Sequence, residues 1–312
     1  MLLLSSLFLL ACAQNNDETF TLGIAIPSYV HSVAWITQDK GFFQAHGLHS
    51  EINVMGGSAA TMRALIAGRI EVGLGGGDAV IKANRAGADL VIIAALVNRF
   101  YHRLVVRDEI KTPADLKGKT IGLPFLGGPQ DMAVHYALDK LNLQYAEDVG
   151  VLSLGKAFNR MAALSRNDIQ GTTSQLPPSQ LHTLGVHVIA DLPAWDVPFP
   201  YLVVAVQQSA LQRTPGRIKA FLSALCDGIR FYRDPAHQTE SLHIMARYMP
   251  QANQNQAIER YHSTGPHLIS WPPEPVYAGF DRVQQFLGTT RSTHFIDLTL
   301  LKQLQHEGPC RA

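Results

Sequence analysis

Charge is scarce in this 312-residue chain and nearly cancels: 26 Lys and Arg stand against 25 Asp and Glu, a net charge of +1. There is no basic run, so the electrostatic footprint of a nucleic-acid binder is missing. Cysteine is rarer still. The three cysteines have no spacing that would build a metal site or a disulfide framework. Cys226 lies in the apolar helical pattern FLSALCDGI and reads as a small core residue, and Cys310 falls among the last few residues. Thirteen histidines are scattered without metal-ligand spacing. GxGxxG, GxxxxGK(S/T), HExxH and GxSxG are all absent, which removes the familiar nucleotide, metalloprotease and serine-hydrolase readings. No Ser/His/Asp set or pair of carboxylates can be placed in a strand-end loop. No catalytic residue, metal or cofactor is therefore expected.

What is present is apolar material, 46% of the residues, in a regular alternation of strand-like and helix-like runs. Residues 21–26, 52–54, 72–74, 90–95, 104–106, 119–123, 149–154, 168–172, 186–190 and 201–206 read as strands. Several are continuous apolar runs, as expected of strands covered on both faces. This βαβ rhythm predicts α/β architecture with mostly parallel sheets. From residue 215 onward the pattern turns helical, over 217–232, 238–248, 254–263, 275–287 and 297–306. Ile218, Phe221, Leu222, Leu225 and Ile229 keep clear helical spacing. Two lobes are expected, crossed near 99–107 and again near 196–204, where Val-Pro-Phe-Pro-Tyr stiffens the connection.

The most informative stretch runs from Trp35 to Asp78. Within it, Gly56-Gly57-Ser58 and Gly75-Gly76-Gly77-Asp78 each hand a strand over to a helix. Ligands of open α/β sheets bind beyond the carboxyl ends of the strands, and helix N-termini there aim N–H groups outward. The strand-end loops are 27–32, 56–58, 75–78, 96–102, 124–129 and 173–177, and three carry consecutive glycines. One such turn is an ordinary tight connection; three in equivalent positions point to a ligand cleft. Ser58 can cap its helix and still face outward, and Asp78 reads as the cap of a helix over 79–86. Arg99 and Arg103, flanking His102, fit either an anionic ligand group or a hinge salt bridge. Tyr29, His31 and Trp35 line the first turn. Tyr29 could stack on a ring there, whereas Trp35 belongs to the core face of its helix.

The first eleven residues are Leu-rich and apolar, too short to span a bilayer and suited to the core of a signal peptide. Leu9-Leu10-Ala11-Cys12 resembles the lipobox of bacterial lipoproteins, which implies a lipid anchor on Cys12. The alternative is an ordinary cleaved signal in which Cys12 is incidental.

DKGFFQAHGL, GGSAATMRALIAGRIEVGLGG, GADLVIIAALVNR, LVVRDEIKTPADLKGKTIGL and PFPYLVVAV resemble the solute-binding proteins of nitrate, sulfonate and taurine ABC importers. Thiamine-pyrimidine-precursor binding proteins belong to the same group. The resemblance covers roughly residues 21–248. It implies a two-lobe periplasmic-binding-protein type II fold with a helical C-terminal tail. Residues 1–20 would be signal and tether, 21–104 the first part of lobe 1, 105–200 lobe 2, and 201–312 the return to lobe 1 with the C-terminal helices. It further implies a monomer outside the cytoplasm that traps a small solute by hinge closure. The partners would be a membrane permease and its ATPase, with no nucleic acid. The family's pocket positions fall on Ser28, Tyr29, His31, Gly57, Ser58, Gly77, Asp78, Leu126, Gly128, Thr173 and Ser174. Arg99 and Gln175 join them from the residue reading. Thr172-Thr173-Ser174-Gln175 before Pro177-Pro178 suggests a more polar second wall and an unusual ligand. An enzyme of pyrimidine-precursor or menaquinone type on the same fold, or a ligand sensor, is the competing expectation.

Overall fold

The structure is a computed structural model that describes residues 19–176, 178–249, 257–259, 261–262 and 265–311. Cys12 and the leader, Pro177 and half of the helix expected over 254–263 lie outside these residues. The strands are β1 Phe20–Ile24, β2 Ser50–Val54, β3 Val72–Gly75, β4 Leu90–Arg99, β5 Arg103–Arg107, β6 Thr120–Leu123, β7 Gly150–Ser153, β8 Gly171–Ser174, β9 Val186–Asp191 and β10 Pro198–Gln207. They form two five-stranded sheets, ordered β2-β1-β3-β10-β4 and β7-β6-β8-β5-β9. The helices are α1 Ser32–Asp39, α2 Phe42–Ala45, α3 Ser58–Ile66, α4 Gly77–Arg85, α5 Pro129–Lys140, α6 Ala157–Ser165, α7 Pro178–His182, α8 Gln208–Arg213, α9 Pro215–Arg233, α10 Gln238–Tyr248, α11 Tyr277–Phe286 and α12 Thr299–Glu307.

The sheets are less parallel than the sequence rhythm suggests. In the first, β10 runs antiparallel between β3 and β4, and in the second, β5 runs antiparallel between β8 and β9. The other neighbouring pairs are parallel. The reversals have one cause. A chain leaving the carboxyl end of β4 arrives at the same end of the second sheet, so β5 must run back through it. The return from β9 to β10 repeats the geometry. Both crossings therefore sit beside the carboxyl ends of the parallel strands of both sheets, where ligands of such sheets collect.

Burial follows from these layers. In β4 only Arg99 is exposed, because helices cover both faces of that strand. Alternate residues of β5 divide between two cores. Leu104 and Val106 join the main one, while Val105 packs with Ala163, Leu164, Ile169, Leu181 and Val186 in a smaller cluster under α6 and α7. The helix α9 packs on α1, α2 and α12. One expectation fails here. Cys226 of α9 is not a free thiol but is joined to Cys310, 84 residues away, with Cα atoms 5.4 Å apart. Spacing in sequence said nothing of this pair because only the packing of the C-terminal segment on α9 brings the two together.

Candidate functional site

A cleft of about 710 Å³ opens between the strand-end loops of the two sheets. Its first wall comes from residues after β1, the two glycine turns, α3, α4 and the middle of β10; its second is residues 124–130. The glycine turns differ in purpose. Gly57 has φ 131°, a conformation that side chains disfavour, yet a Cβ there would meet nothing. Gly76 has an ordinary backbone, but a Cβ would lie 2.3 Å from Asp78 Oδ1 and 3.0 Å from Pro129. The first turn needs glycine for its bend, the second for close approach.

The capping roles expected for Ser58 and Asp78 are not the observed ones. Gly57 and Gly76 hold the N-cap positions, with no side-chain cap bond. Instead, the Gly76 N–H donates to Ser58 Oγ at 2.9 Å, tying one turn to the other. Asp78 lies in the first turn of α4, 1% exposed. Its Oδ2 accepts from Lys82 Nζ at 3.1 Å, and its Oδ1 is buried without a partner. Burial raises its pKa, opposed by Lys82 and the amides at the helix start. The Lys82 ammonium also crosses the cleft to donate to the Gly127 carbonyl of the second wall.

His31 shares a 2.8 Å hydrogen bond with Ser28 through Nδ1 and keeps a buried, unpartnered Nε2. Burial lowers its pKa to about 3, so it is neutral near pH 7. Tyr201, which lines the cleft, hydrogen-bonds to Tyr101 and Gln130, and burial holds its phenol above the usual tyrosine range. Gln130 in turn accepts from Thr173 Oγ1. A buried polar strip thus joins the sheets beneath the cleft.

Of the residues singled out in the sequence, His31, Gly57, Ser58, Asp78, Leu126 and Gly128 line this cleft together. The others do not. Ser28 stands behind His31, and Gly77 packs on Pro200 and Phe280. Tyr29 is buried and offers no platform in the cleft; it lines a separate hollow beside α10. Trp35 is core as expected and stacks on Tyr248. Arg99 pairs with Asp196 at 2.6 Å beside the crossings, the salt-bridge alternative, and Arg103 pairs with Asp191 at 3.2 Å. Of the wall expected from 173–177, the described residues 173–176 are set back. Thr173 lies behind Gln130, Ser174 Oγ accepts from the Leu176 amide, and Gln175 pairs with His102.

Sequence reasoning missed Lys82, Gln130, Tyr201 and Arg160. Arg160 is 8% exposed and donates to Gly155 O and Thr172 Oγ1. Its spacing with Ala163 and Leu164 on one face of α6 was a readable signal. Lys82, four residues after Asp78 on one helix, was readable as well.

A family model described as NMT1/THI5 like matches residues 28–238. A binding protein of Brucella abortus (strain 2308) is 29% identical over 147 residues, which is 47% of this chain and 45% of that protein. The chain thus matches about half the length of that relative. The binding protein YtlA of Bacillus subtilis is 25% identical over 228 residues, 70% of this chain and 67% of that protein. The fold is shared with the periplasmic nitrate-binding protein NrtA of Synechocystis, with a TM-score of 0.74 at 16% identity, covering 94% of this chain and 92% of that one. The architecture is therefore that of periplasmic binding proteins, and the chain belongs to the NMT1/THI5-like family.

Proposed function

We propose that this protein is the extracytoplasmic solute-binding component of an ABC importer. It captures a small solute between two lobes and hands it on without transforming it. The supporting observation is that one cleft draws on strand-end loops of both sheets, beside both chain crossings. One lobe comprises residues 21–104 and 201–312, the other 105–200. Closure about the crossings lets a ligand touch both walls only in the closed state, which is what biases a hinge. The fully buried Cys226–Cys310 bridge supports an oxidising compartment. The permease and ATPase partners, the monomeric state and a lipid anchor on Cys12 follow from the resemblance.

The open ligand classes are nitrate, sulfonates, taurine and aminopyrimidines. Thermal-shift screening across these classes and a set of simple amines should give a rise in Tm for at least one compound. Small-angle scattering should show a smaller radius of gyration with the same compound. A silent screen, or binding with no compaction, would remove the hinge-closing reading. Metabolic labelling with palmitate, lost in Cys12→Ser, tests the anchor.

A further inference from the structure

We infer that the cleft takes a solute joining an N–H donor head to an apolar body, and that it is not built for a small oxyanion; this rests on the solute-binding reading above. The cleft is large. Clefts of about 300–1,000 Å³ hold drug-sized ligands, and this one measures about 710 Å³. A nitrate is little larger than a water, whose share of the liquid is about 30 Å³. It would leave nearly all of the cleft unfilled.

Its walls are largely apolar. Ala60, Met62, Ile66 and Ala83 of the first lobe face Phe125 and Leu126 of the second across the same space. Phe125 and Leu126 are 47% and 54% exposed, so an apolar ligand body would remove them from water. That gain scales with the apolar area covered.

The floor carries unpaired polar atoms. Two buried polar atoms on the cleft lining lack partners, Asp78 Oδ1 and His31 Nε2. Asp78 Oδ1 is a carboxylate oxygen in want of a donor, and a buried acceptor left unpaired is costly. An oxyanion would meet it as a like charge. The cations on the lining stand at the edge: Arg63 is exposed, and Lys82 already donates to Asp78 and Gly127. Arg99, which could have held an anion, is paired outside the lining. An amine, amidine or amino-substituted ring fits Asp78, with its apolar part between the walls.

The test is calorimetric titration of the full mature chain with 2-phenylethylamine, ethylamine, benzamidine, nitrate, taurine and hexanesulfonate. 2-Phenylethylamine and benzamidine should bind, with 2-phenylethylamine at least tenfold tighter than ethylamine. Asp78→Asn should weaken benzamidine tenfold or more. Leu126→Ser, on an exposed loop where folding is not at stake, should narrow the gap between 2-phenylethylamine and ethylamine. Tighter binding of nitrate, taurine or hexanesulfonate than of benzamidine would overturn the inference while leaving the solute-binding reading intact. Unchanged benzamidine affinity in Asp78→Asn, or no binding by either amine or the amidine, would overturn it too. The solute-binding reading falls only if the broader screen is also silent.

Discussion

The two walls of the cleft are built by opposite means. On the first, side chains and backbone interlock: Ser58 Oγ receives the Gly76 amide, Asp78 folds over Gly76, and Gly77 is pressed against Pro200 and Phe280. On the second, one glycine-bearing loop holds Phe125 and Leu126 out toward solvent and is braced through the Gly127 amide by Asp131 at 2.6 Å. A group that must present a buried acceptor in a fixed direction belongs on the wall that cannot shift. On the proposed hinge-closing reading, the second wall approaches and retreats, and a wall that does so cannot be packed that way. Substitutions on the first wall should therefore cost folding as well as binding, and substitutions on the second should cost binding alone.

The largest expected effect lies behind the first wall. The Cys226–Cys310 bridge fixes the C-terminal segment to α9 and closes a loop of 84 residues. On a chain-entropy model such a loop contributes about 4–5 kcal/mol. Cys226→Ala/Cys310→Ala should lower the unfolding free energy from urea titrations by that amount and leave ligand affinity in the folded protein unchanged. A loss of affinity without a loss of stability would break the division between scaffold and cleft.

The next effect compares two glycines directly. A Cβ on Gly77 would lie 2.7 Å from Pro200 Cβ and 3.1 Å from Phe280. A proline ring cannot swing aside, so Gly77→Ala should cost about 1–3 kcal/mol by overpacking. A Cβ on Gly128 meets nothing within 4 Å, and its φ of −100° suits any residue. Gly128→Ala should stay within about 0.5 kcal/mol of the parent. Thermal melts of the two variants side by side test the contrast, and equal losses would refute it.

How much of this was readable in advance depended on whether the information was local. The buried strands were legible because apolar runs such as Leu90–Ala95 are set by burial on both faces, which the chain declares residue by residue. His31, Gly57, Ser58, Asp78, Leu126 and Gly128 were legible as strand-end residues on the cleft. The role of Asp78 was not. Gly76 supplies the N-cap, which frees the carboxylate for a place defined by Lys82 and by the missing Cβ of Gly76. The reversed β5 and β10 were hidden too, because strand direction follows from where a crossing delivers the chain. Arg99 looked like a ligand contact or a hinge pair, and Asp196, 97 positions later, is what decides its surroundings.

Protonation sharpens the comparison further. His31 on the first wall and His102 at the crossing are both buried, with pKa values lowered to about 3 by burial; Arg160 adds repulsion at His102. The unfolded chain takes up these protons near pH 6.5 and the folded chain only near 3. Their contribution is thus complete above pH 6.5 and is lost as pH falls toward 3. Each histidine should add about 1.4 kcal/mol per pH unit to that slope inside the window. Urea titrations of His31→Asn and His102→Asn between pH 4 and 7 should show a flatter dependence than the parent. An unchanged slope would mean that the imidazoles are already solvated.

The smallest expected change concerns the contact that joins the walls. Lys82 Nζ holds Asp78 on its own helix and the Gly127 carbonyl opposite, with its side chain 34% exposed. With Lys82 a third exposed, the crossing bond should contribute no more than about 0.5–1.5 kcal/mol to the closed state. On the proposed hinge-closing reading, opening would solvate Gly127 and leave Lys82 on Asp78, so the crossing bond itself would act on closure rather than on folding. Lys82→Met retains the aliphatic stem and removes the donor. It also leaves the buried Asp78 carboxylate without its ion pair, so Tm should fall; in the folded protein it should weaken a cleft ligand by a factor of about 2–10 and raise its dissociation rate more than it lowers its association rate. Stopped-flow kinetics would separate the two rates. If the loss instead appeared entirely in association, Lys82 would be steering the solute rather than holding the walls together. The first wall would then reach across the cleft by its field and not by a bond.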